Sequence, residues 1–238
     1  MFKQALIFRL HKVFSVIVGI QVLFWVLSGL YMTAVPISYV HGDHLRQDTK
    51  DSNLAMIETW VTPGEILTRM ENTSVTDIKI FNRLGRATYV FNLDSQPLLF
   101  DAITAEPISP LTETDAINIA TKAYTGTGNI SSAKVITTYE QMPEIKGRPL
   151  PIWQVNFDDW VNTSLYVSNI EAEVITARSN IWRVFDFLWM LHIMDYDERE
   201  DFNNPLVIFM ASLAMLLILT GIILLTKGFK RSGRRYLK

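Results

Sequence analysis

Two long stretches of this sequence contain no charged residue. The first covers residues 13–37 and the second covers residues 206–226. About 20 apolar residues span a hydrocarbon core of roughly 30 Å, so each stretch is long enough to form a transmembrane helix. The first stretch is longer than the apolar part of a signal peptide and lacks a clear small-residue cleavage site, which predicts an uncleaved anchor.

The region between these stretches shows one order of elements twice. Thr62, Pro63 and Glu65 predict the start of a short helix, and Thr112 with Asp115 predicts the start of a second one. Alternating apolar and polar residues predict strands after each helix, with a hairpin turn at Arg83-Leu84-Gly85. The strand segments are TDIKIFN, RATYVFNL and PLLFDAITAEPIS in the first half, and SAKVITTYE, PIWQVNFDD and TSLYVSNIEAEVITARS in the second. The pattern favours an α+β domain in which each antiparallel sheet buries one face under its helix.

An amphipathic segment precedes the second apolar stretch. Ile181, Phe185, Trp189 and His192 follow one another at intervals of three or four residues and therefore lie on one side of a predicted helix. Five acidic residues follow this segment. We expect this helix to lie along a membrane surface. The predicted protein is thus an α+β membrane protein in four parts. These are residues 1–37, 38–180, 181–204 and 205–238.

Charge is distributed unevenly along the chain. Nine of the 22 basic residues flank the two apolar stretches, whereas all 24 acidic residues lie between them, which leaves the central region with a net charge of −11. Basic residues at the outer ends of both predicted spans favour cytoplasmic termini and an external central domain.

Several classes of chemistry lack support in the sequence. The chain has no Cys, which excludes disulfides, thiolate metal sites and covalently attached haem. It contains no G-x-G-x-x-G, no P-loop, no H-E-x-x-H and no G-x-S-x-G, so nucleotide binding, zinc proteolysis and α/β-hydrolase chemistry have no motif. The acidic central region also argues against nucleic-acid binding.

The repeats and the membrane segments together resemble one family. FDAITAEPI and VSNIEAEVI are similar to the strand-turn ends of PepSY domains, and RLHKVFSVIVGIQVLFWVLSGLYM looks like the first helix of the PepSY-associated transmembrane proteins. SYVHGDHL and LWMLH with LLILTGIILL resemble further parts of that family. The resemblance is greatest to small two-helix members linked to bacterial iron uptake, although many relatives have four or more spans.

The resemblance implies a function for the chain. The wider family includes haem-containing ferric reductases, so we expect a b-type haem held noncovalently in a bacterial inner membrane, with the central domain in the periplasm. Ferric iron or a ferric chelate would be the substrate, and a separate ferrous iron transporter would take up the product. The alternative is a cofactor-free anchored protein whose external repeats bind a protein or peptide.

Three histidines are candidate haem ligands. His11 matches the family's Leu-His motif at the cytoplasmic mouth of the first span, but it could equally be an interfacial residue. His192 matches a second Leu-His motif and lies among aromatic residues, where a headgroup-facing role is the alternative. His44 belongs to the Gly-acid-His-Leu stretch and is favoured over His41, whose role stays open.

The length of the first span constrains how these ligands pair. A helix from His11 to about residue 34 rises roughly 35 Å, so His11 and His192 lie near opposite membrane faces and cannot share one iron. A homodimer would let His11 face its symmetry mate around an inner haem, with His44 and His192 available for an outer one. We therefore expect one or two haems per dimer.

The acidic segment is a candidate iron-docking surface. Asp195, Asp197 and Glu198 are hard oxygen donors suited to ferric iron, and the charge of the central domain would concentrate cations near them. The plainer interpretation is a solvated acidic surface after an interfacial helix.

The charge distribution predicts the topology. A reporter that is active only in the cytoplasm should give signal when fused after residue 238 and none when fused after Pro110. Reporter activity in whole cells measures this directly, and signal from the Pro110 fusion would contradict the assigned orientation.

Overall fold

The computed structural model describes the backbone of residues 2–48, 50–51, 60–70, 74–83, 86–94 and 97–236, with side chains between residues 11 and 222. The chain divides into two compact units. One unit contains the two ends of the chain, Met1–Pro36 and Val184–Lys238, and the other contains Ile37–Arg183.

The first unit is helical. Helix α1 covers Phe2–Ala34, helix α5 covers Asn180–Ile193 and enters this unit at Val184, and helix α6 covers Pro205–Tyr236. Within α1 and α6, the segments His11–Ala34 and Pro205–Ile222 are long and apolar enough to span a membrane. α1 ends shortly before Pro36, because a proline disfavours helical geometry in the residue before it.

Most side chains of α1 and α6 are exposed. Only 17% of the apolar segment of α1 and 6% of that of α6 is buried, whereas the core helix of a water-soluble domain would be mostly covered. The two helices pack against each other, and small or short side chains such as Ala214 lie on the covered side of α6. Close packing through small residues is typical of helices in lipid.

The second unit begins with two short helical segments and a four-stranded antiparallel sheet. The short helices are α2 at Ile37–His41 and a 3-10 turn at Asp43–Leu45. The strands are β1 (Lys50–Asp51), β2 (Val75–Arg83), β3 (Arg86–Leu93) and β4 (Leu98–Asp101), in the order β1-β2-β3-β4. Pairing of Arg83 with Arg86 confirms the predicted hairpin, although Leu84 and Gly85 lie outside the described residues.

The predicted helix of the first half is present as α3 (Pro63–Arg69). The Thr62 hydroxyl accepts a hydrogen bond from the Glu65 N–H while the Glu65 carboxylate accepts one from the Thr62 N–H, which forms a capping box. Its buried residue Ile66 packs with Tyr89 and Phe91 of β3.

A second antiparallel sheet follows helix α4 (Glu113–Ala123), which is capped by Thr112 as the sequence predicts. The strands are β5 (Ile130–Ile136), β6 (Ile152–Phe157), β7 (Ser164–Ser168) and β8 (Val174–Arg178), in the order β5-β6-β7-β8. The predicted strand at SAKVITTYE is shorter than expected, because Tyr139–Gln141 forms a 3-10 turn. Ile119 and Ala120 of α4 pack with Val155 and Leu165 in the main core.

Two turns that follow β4 and β7 have the same hydrogen bonds. The Asp101 carboxylate accepts from the N–H groups of Ile103 and Thr104, and the Ser168 hydroxyl accepts from those of Ile170 and Glu171. Four residues after each of these side chains, Ala105 and Ala172 have φ angles of 59° and 52°. The similarity between FDAITAEPI and VSNIEAEVI therefore extends to backbone geometry. The coarse prediction of a mixed helix-and-sheet protein with two antiparallel sheets is confirmed.

Candidate functional site

One side of α1 carries most of its buried polar groups. Gln21 is 8% exposed and Ser28 is fully buried, with Trp25 half-buried between them, while neighbouring apolar side chains such as Leu23 and Val26 are exposed. These three residues lie three or four positions apart and therefore on one side of the helix. Polar residues on an otherwise apolar helix usually face a protein interior.

The covered side of α1 binds the C-terminal end of α5. The last carbonyls of a helix have no partner within the helix and need donors from elsewhere. Gln21 Nε2 donates to Leu191 O at 3.4 Å, and Trp25 Nε1 donates to His192 O at 2.7 Å. Asn204, which precedes α6, donates to Ile193 O at 2.9 Å. Three side chains that are distant in sequence thus fix the end of α5.

The imidazole of His192 contacts Ser28. Ser28 Oγ lies 2.7 Å from His192 Nδ1 and 2.7 Å from Phe24 O. A carbonyl oxygen only accepts, so when Ser28 donates its single proton to Phe24 O, its own oxygen is left to accept from the His192 ring. In that arrangement Nδ1 carries the ring proton and Nε2 keeps the lone pair.

This protonation state is the one that a metal-binding histidine needs. A neutral imidazole binds metal through one nitrogen while the other donates a hydrogen bond that fixes the ring. Among the described residues, no hydrogen bond to His192 Nε2 is found. His192 as a whole is half-buried.

His11 has a similar environment nearer the other end of α1. Its Nδ1 lies 3.3 Å from Thr220 Oγ1 of α6, and that hydroxyl also donates to Leu217 O at 2.9 Å. The same arrangement lets the His11 Nδ1–H donate to Thr220. Nδ1 of each histidine thus lies beside a helix hydroxyl that is itself bonded to a backbone carbonyl.

The two rings are far apart. Seventeen residues of α1 separate His11 from Ser28, which corresponds to about 25 Å along the helix axis. One iron therefore cannot contact both histidines within one chain. Ser28 lies six residues before Ala34, so the contact with His192 is about 9 Å from the end of α1.

His44 and His41 belong to the second unit. The His44 ring stacks on Tyr39 with centroids 4.1 Å apart, and its backbone carbonyl accepts from Thr125 Oγ1 at 2.7 Å. Both histidine side chains are exposed. The pairing of His44 with His192 stays a prediction.

Asp195 organises the loop between α5 and α6. Its Oδ1 accepts hydrogen bonds from the N–H groups of Asp197 and Glu198, and its Oδ2 accepts from those of Glu200 and Asp201, at 3.0 to 3.3 Å. These bonds, that from the Asp201 N–H most strongly, lower the pKa of the Asp195 carboxyl because they stabilise its charged form. The helix ends just before the loop at Met194, whose φ of 56° is the left-handed geometry common after helices.

The same loop is attached to α5. Arg199 forms an ion pair with Asp186, and Trp189 Nε1 donates to Arg199 O at 2.9 Å. Asp195 is therefore occupied as a loop-organising residue, while Asp197 and Glu198 are exposed. Across the part of the chain that the structure describes, no group of three or more His, Asp and Glu side chains is arranged to hold a metal ion. Iron docking at Asp195, Asp197 and Glu198 stays a prediction.

Sequence reasoning found the histidines but not the residues that position them. The sequence motifs single out none of the positioning residues, which are Gln21, Trp25, Ser28 and Thr220. A usable signal is present, because Gln21, Trp25 and Ser28 recur at helical spacing in a stretch that is otherwise apolar. Their partner on α5 cannot be identified from spacing, since it is more than 160 positions away.

Comparison of the chain with models of protein families, with curated proteins and with solved structures found no match.

The role of Asp195 generates a prediction. Asp195→Asn should speed amide hydrogen exchange at Asp197, Glu198, Glu200 and Asp201, because the amide group offers one acceptor oxygen in place of two. In the unchanged protein the same amides should lose protection as the pH falls, since a carboxyl whose pKa is lowered in the folded loop stabilises that loop only while it is ionised.

Asp197→Asn serves as the matched control, since its side chain is exposed. Equal exchange rates in Asp195→Asn and the unchanged protein would show that the carboxylate does not hold the loop.

Proposed function

We propose that this chain is an inner-membrane protein of the PepSY-associated type that binds b-type haem and passes electrons from a cytoplasmic or quinol donor to external ferric iron. The observation that carries the proposal is the pair of histidines in the first unit. In both, Nδ1 lies beside a helix hydroxyl, which leaves Nε2 as a potential iron ligand. His192 contacts α1 near its C-terminal end, which we call the outer level, and His11 lies nearer the other end of α1, which we call the inner level.

Exposure of the helices supports the membrane location. Large apolar side chains cover the outer surfaces of α1 and α6, and burying them in water-excluding surroundings is strongly favourable. Lipid provides such surroundings for two helices of this length. The basic residues at the ends of the chain support cytoplasmic termini and a periplasmic position for Ile37–Arg183.

The donor set fits a haem iron. Neutral imidazole is a common axial ligand of haem, and a hydrogen bond at Nδ1 increases its basicity and fixes its orientation. With no Cys in the chain, a haem would be held through such ligands and through apolar contacts. When bound, haem supplies a centre that accepts and releases single electrons.

The chain's own groups have defined tasks in this scheme. Ser28 holds the His192 proton on Nδ1, and Trp25 with Gln21 fixes the end of the helix that carries the ring. Thr220 performs the first of these tasks for His11. Apolar side chains around the helices keep water away from both levels.

A homodimer completes the inner level. Within the first unit, the other described histidine is His192, which lies about 25 Å from His11 along α1. A symmetry mate would supply the second imidazole. The outer level would use His192, with His44 as the candidate partner.

Electrostatics favour ferric iron as the electron acceptor. The central region carries a net charge of −11, which raises the local concentration of cations. Exposed carboxylates at Asp197 and Glu198 follow His192 by a few residues. Electrons would therefore leave on the side where the substrate collects, and a ferrous transporter would remove the product.

Substitutions at the outer level test the proposal. His192→Ala should abolish outer-haem binding, and Ser28→Ala should lower haem affinity about 10- to 100-fold, because the ring loses the group that fixes its tautomer. Haem content per chain and ferric reduction by membrane vesicles are the measurements.

Ser212→Ala is the matched control. The Ser212 hydroxyl also donates to the carbonyl four residues earlier, at 2.8 Å, but it lies on the exposed side of α6. A Ser28→Ala protein that binds haem as tightly as the Ser212→Ala protein would contradict the role of the Ser28–His192 bond.

The inner level makes a separate prediction. The purified protein should be a dimer by light scattering, and His11→Ala should remove the inner haem without unfolding the central domain, since His11 lies in the other unit. Haem-loaded monomers would contradict a shared inner site.

A further inference from the structure

A cavity of about 410 Å³ lies in the second unit, within the range of about 300 to 1,000 Å³ that is usual for small-molecule sites. It is lined by β5, β6 and β7, by the segment that contains the 3-10 turn Pro143–Ile145, and by Arg183. Its lining is rich in polar side chains. None of these residues takes part in the proposed haem site.

The cavity lies on the opposite side of β6 from the main core. Val155 and Phe157 point into the core that α4 covers, whereas Gln154 and Asn156 alternate with them and line the cavity. On that second side, Ile152 packs with Tyr166 and Ile145 in a small apolar cluster. The buried polar groups on this side of β6 therefore lie next to an apolar cluster.

An ion pair forms the centre of the cavity wall. Arg183 Nε donates to Glu144 Oε2 at 2.9 Å, and one terminal nitrogen of Arg183 donates to Glu144 Oε1 at 3.0 Å. Tyr166 OH also donates to Glu144 Oε1. Burial, together with the neighbouring Glu144 charge, raises the pKa of Tyr166, so its phenol keeps its proton.

The hydrogen bonds continue in two directions from this pair. In one direction, Gln154 Nε2 donates to Tyr166 OH at 2.8 Å. In the other, Arg183 donates to Ser164 Oγ at 3.1 Å and Ser164 donates to Asn156 Oδ1 at 2.7 Å. Asn156 Nδ2 then donates to Ser132 Oγ at 2.9 Å.

The network ends in one acceptor and one donor. Gln154 is 3% exposed, and its Oε1 has no hydrogen-bond partner among the described residues. Its orientation is set because Tyr166 OH gives its proton to Glu144 and so accepts from the Gln154 NH₂ group. At the other end, Ser132 Oγ accepts from Asn156, and its own proton has no recorded acceptor in the described part of the chain.

The two ends are close together. Ser132 pairs with Asn156 across β5 and β6, so it is the diagonal neighbour of Gln154 on the same side of the sheet, about 7 to 8 Å away between backbone positions. A buried acceptor without a donor is unfavourable, which favours an N–H group at Gln154 Oε1. This atom has less than 1 Å² of accessible surface, so a ligand reaches it when a neighbouring lining side chain such as Met142 moves aside.

We propose that this cavity binds an uncharged amide group, whose N–H donates to Gln154 Oε1 and whose carbonyl accepts from the Ser132 hydroxyl. The ligand is neutral because Glu144 and Arg183 already compensate each other. Amides are found both in small carboxamides and in the main chain of peptides. The site does not depend on haem, so the two proposals can fail independently.

Titration of the ¹⁵N-labelled full chain in detergent tests this proposal by NMR. The probes are acetamide, the blocked dipeptide N-acetyl-alanyl-alanine amide, and glycerol, which has hydroxyl groups but no amide. Both amide probes should shift the Gln154 side-chain and Ser132 backbone signals in a saturable way. Tighter binding of the dipeptide identifies a peptide ligand, and equal binding identifies a small carboxamide; either result supports the amide site.

Variants give the matched comparison. Gln154→Met should bind the amide probes at least about tenfold more weakly, because the acceptor is lost while the side-chain size is nearly kept. Ser132→Ala, an exposed substitution with little risk to folding, should also weaken binding. Gln47→Met, which alters an exposed side chain bonded to Lys122 O, should leave binding unchanged.

Two results would overturn the proposal. The first is the absence of a saturable shift with either amide probe in the unchanged protein. The second is binding of glycerol as tight as that of acetamide, which would identify a hydroxyl site.

Discussion

The hydrogen bond between Ser28 and His192 joins the main features of the helical unit. It needs a buried hydroxyl on α1 and the end of α5 held against it, and Gln21 and Trp25 provide that attachment through the carbonyls of Leu191 and His192. When Ser28 gives its proton to Phe24 O, the bond also leaves Nε2 as the free nitrogen of His192. The packing of α5 on α1, the capping of α5 and the proposed ligand role of His192 thus depend on the same hydrogen bonds. Asp195 fixes the loop that follows α5.

The central unit provides a different kind of chemistry. Its sheets are stabilised by a shared apolar core and by capped helices, and its surface charge favours cations. Its cavity, however, is electrically balanced by Glu144 and Arg183, with an unpaired acceptor at Gln154. The proposed iron chemistry uses long-range charge, whereas the proposed amide site uses short-range hydrogen bonds. One chain can carry both because they use different residues.

Local signals in the sequence predicted much of the fold. The lengths of the apolar stretches, the caps at Thr62 and Thr112 and the alternation in β3 and β6 each depend on neighbouring residues, and the structure agrees with them. The contact between Ser28 and His192 could not be predicted in this way, because it joins residues more than 160 positions apart. The acidic segment shows a second limit. Composition suggests a set of iron ligands, and only the loop's conformation reveals that the Asp195 carboxylate also accepts from backbone N–H groups.

The absorption spectrum of the purified full-length protein tests the central claim most directly. The protein would be produced with a haem precursor, purified in detergent and recorded before and after chemical reduction. The account predicts a b-type spectrum that sharpens on reduction. Protein that is folded and dimeric but shows no haem absorption under these conditions would contradict the account.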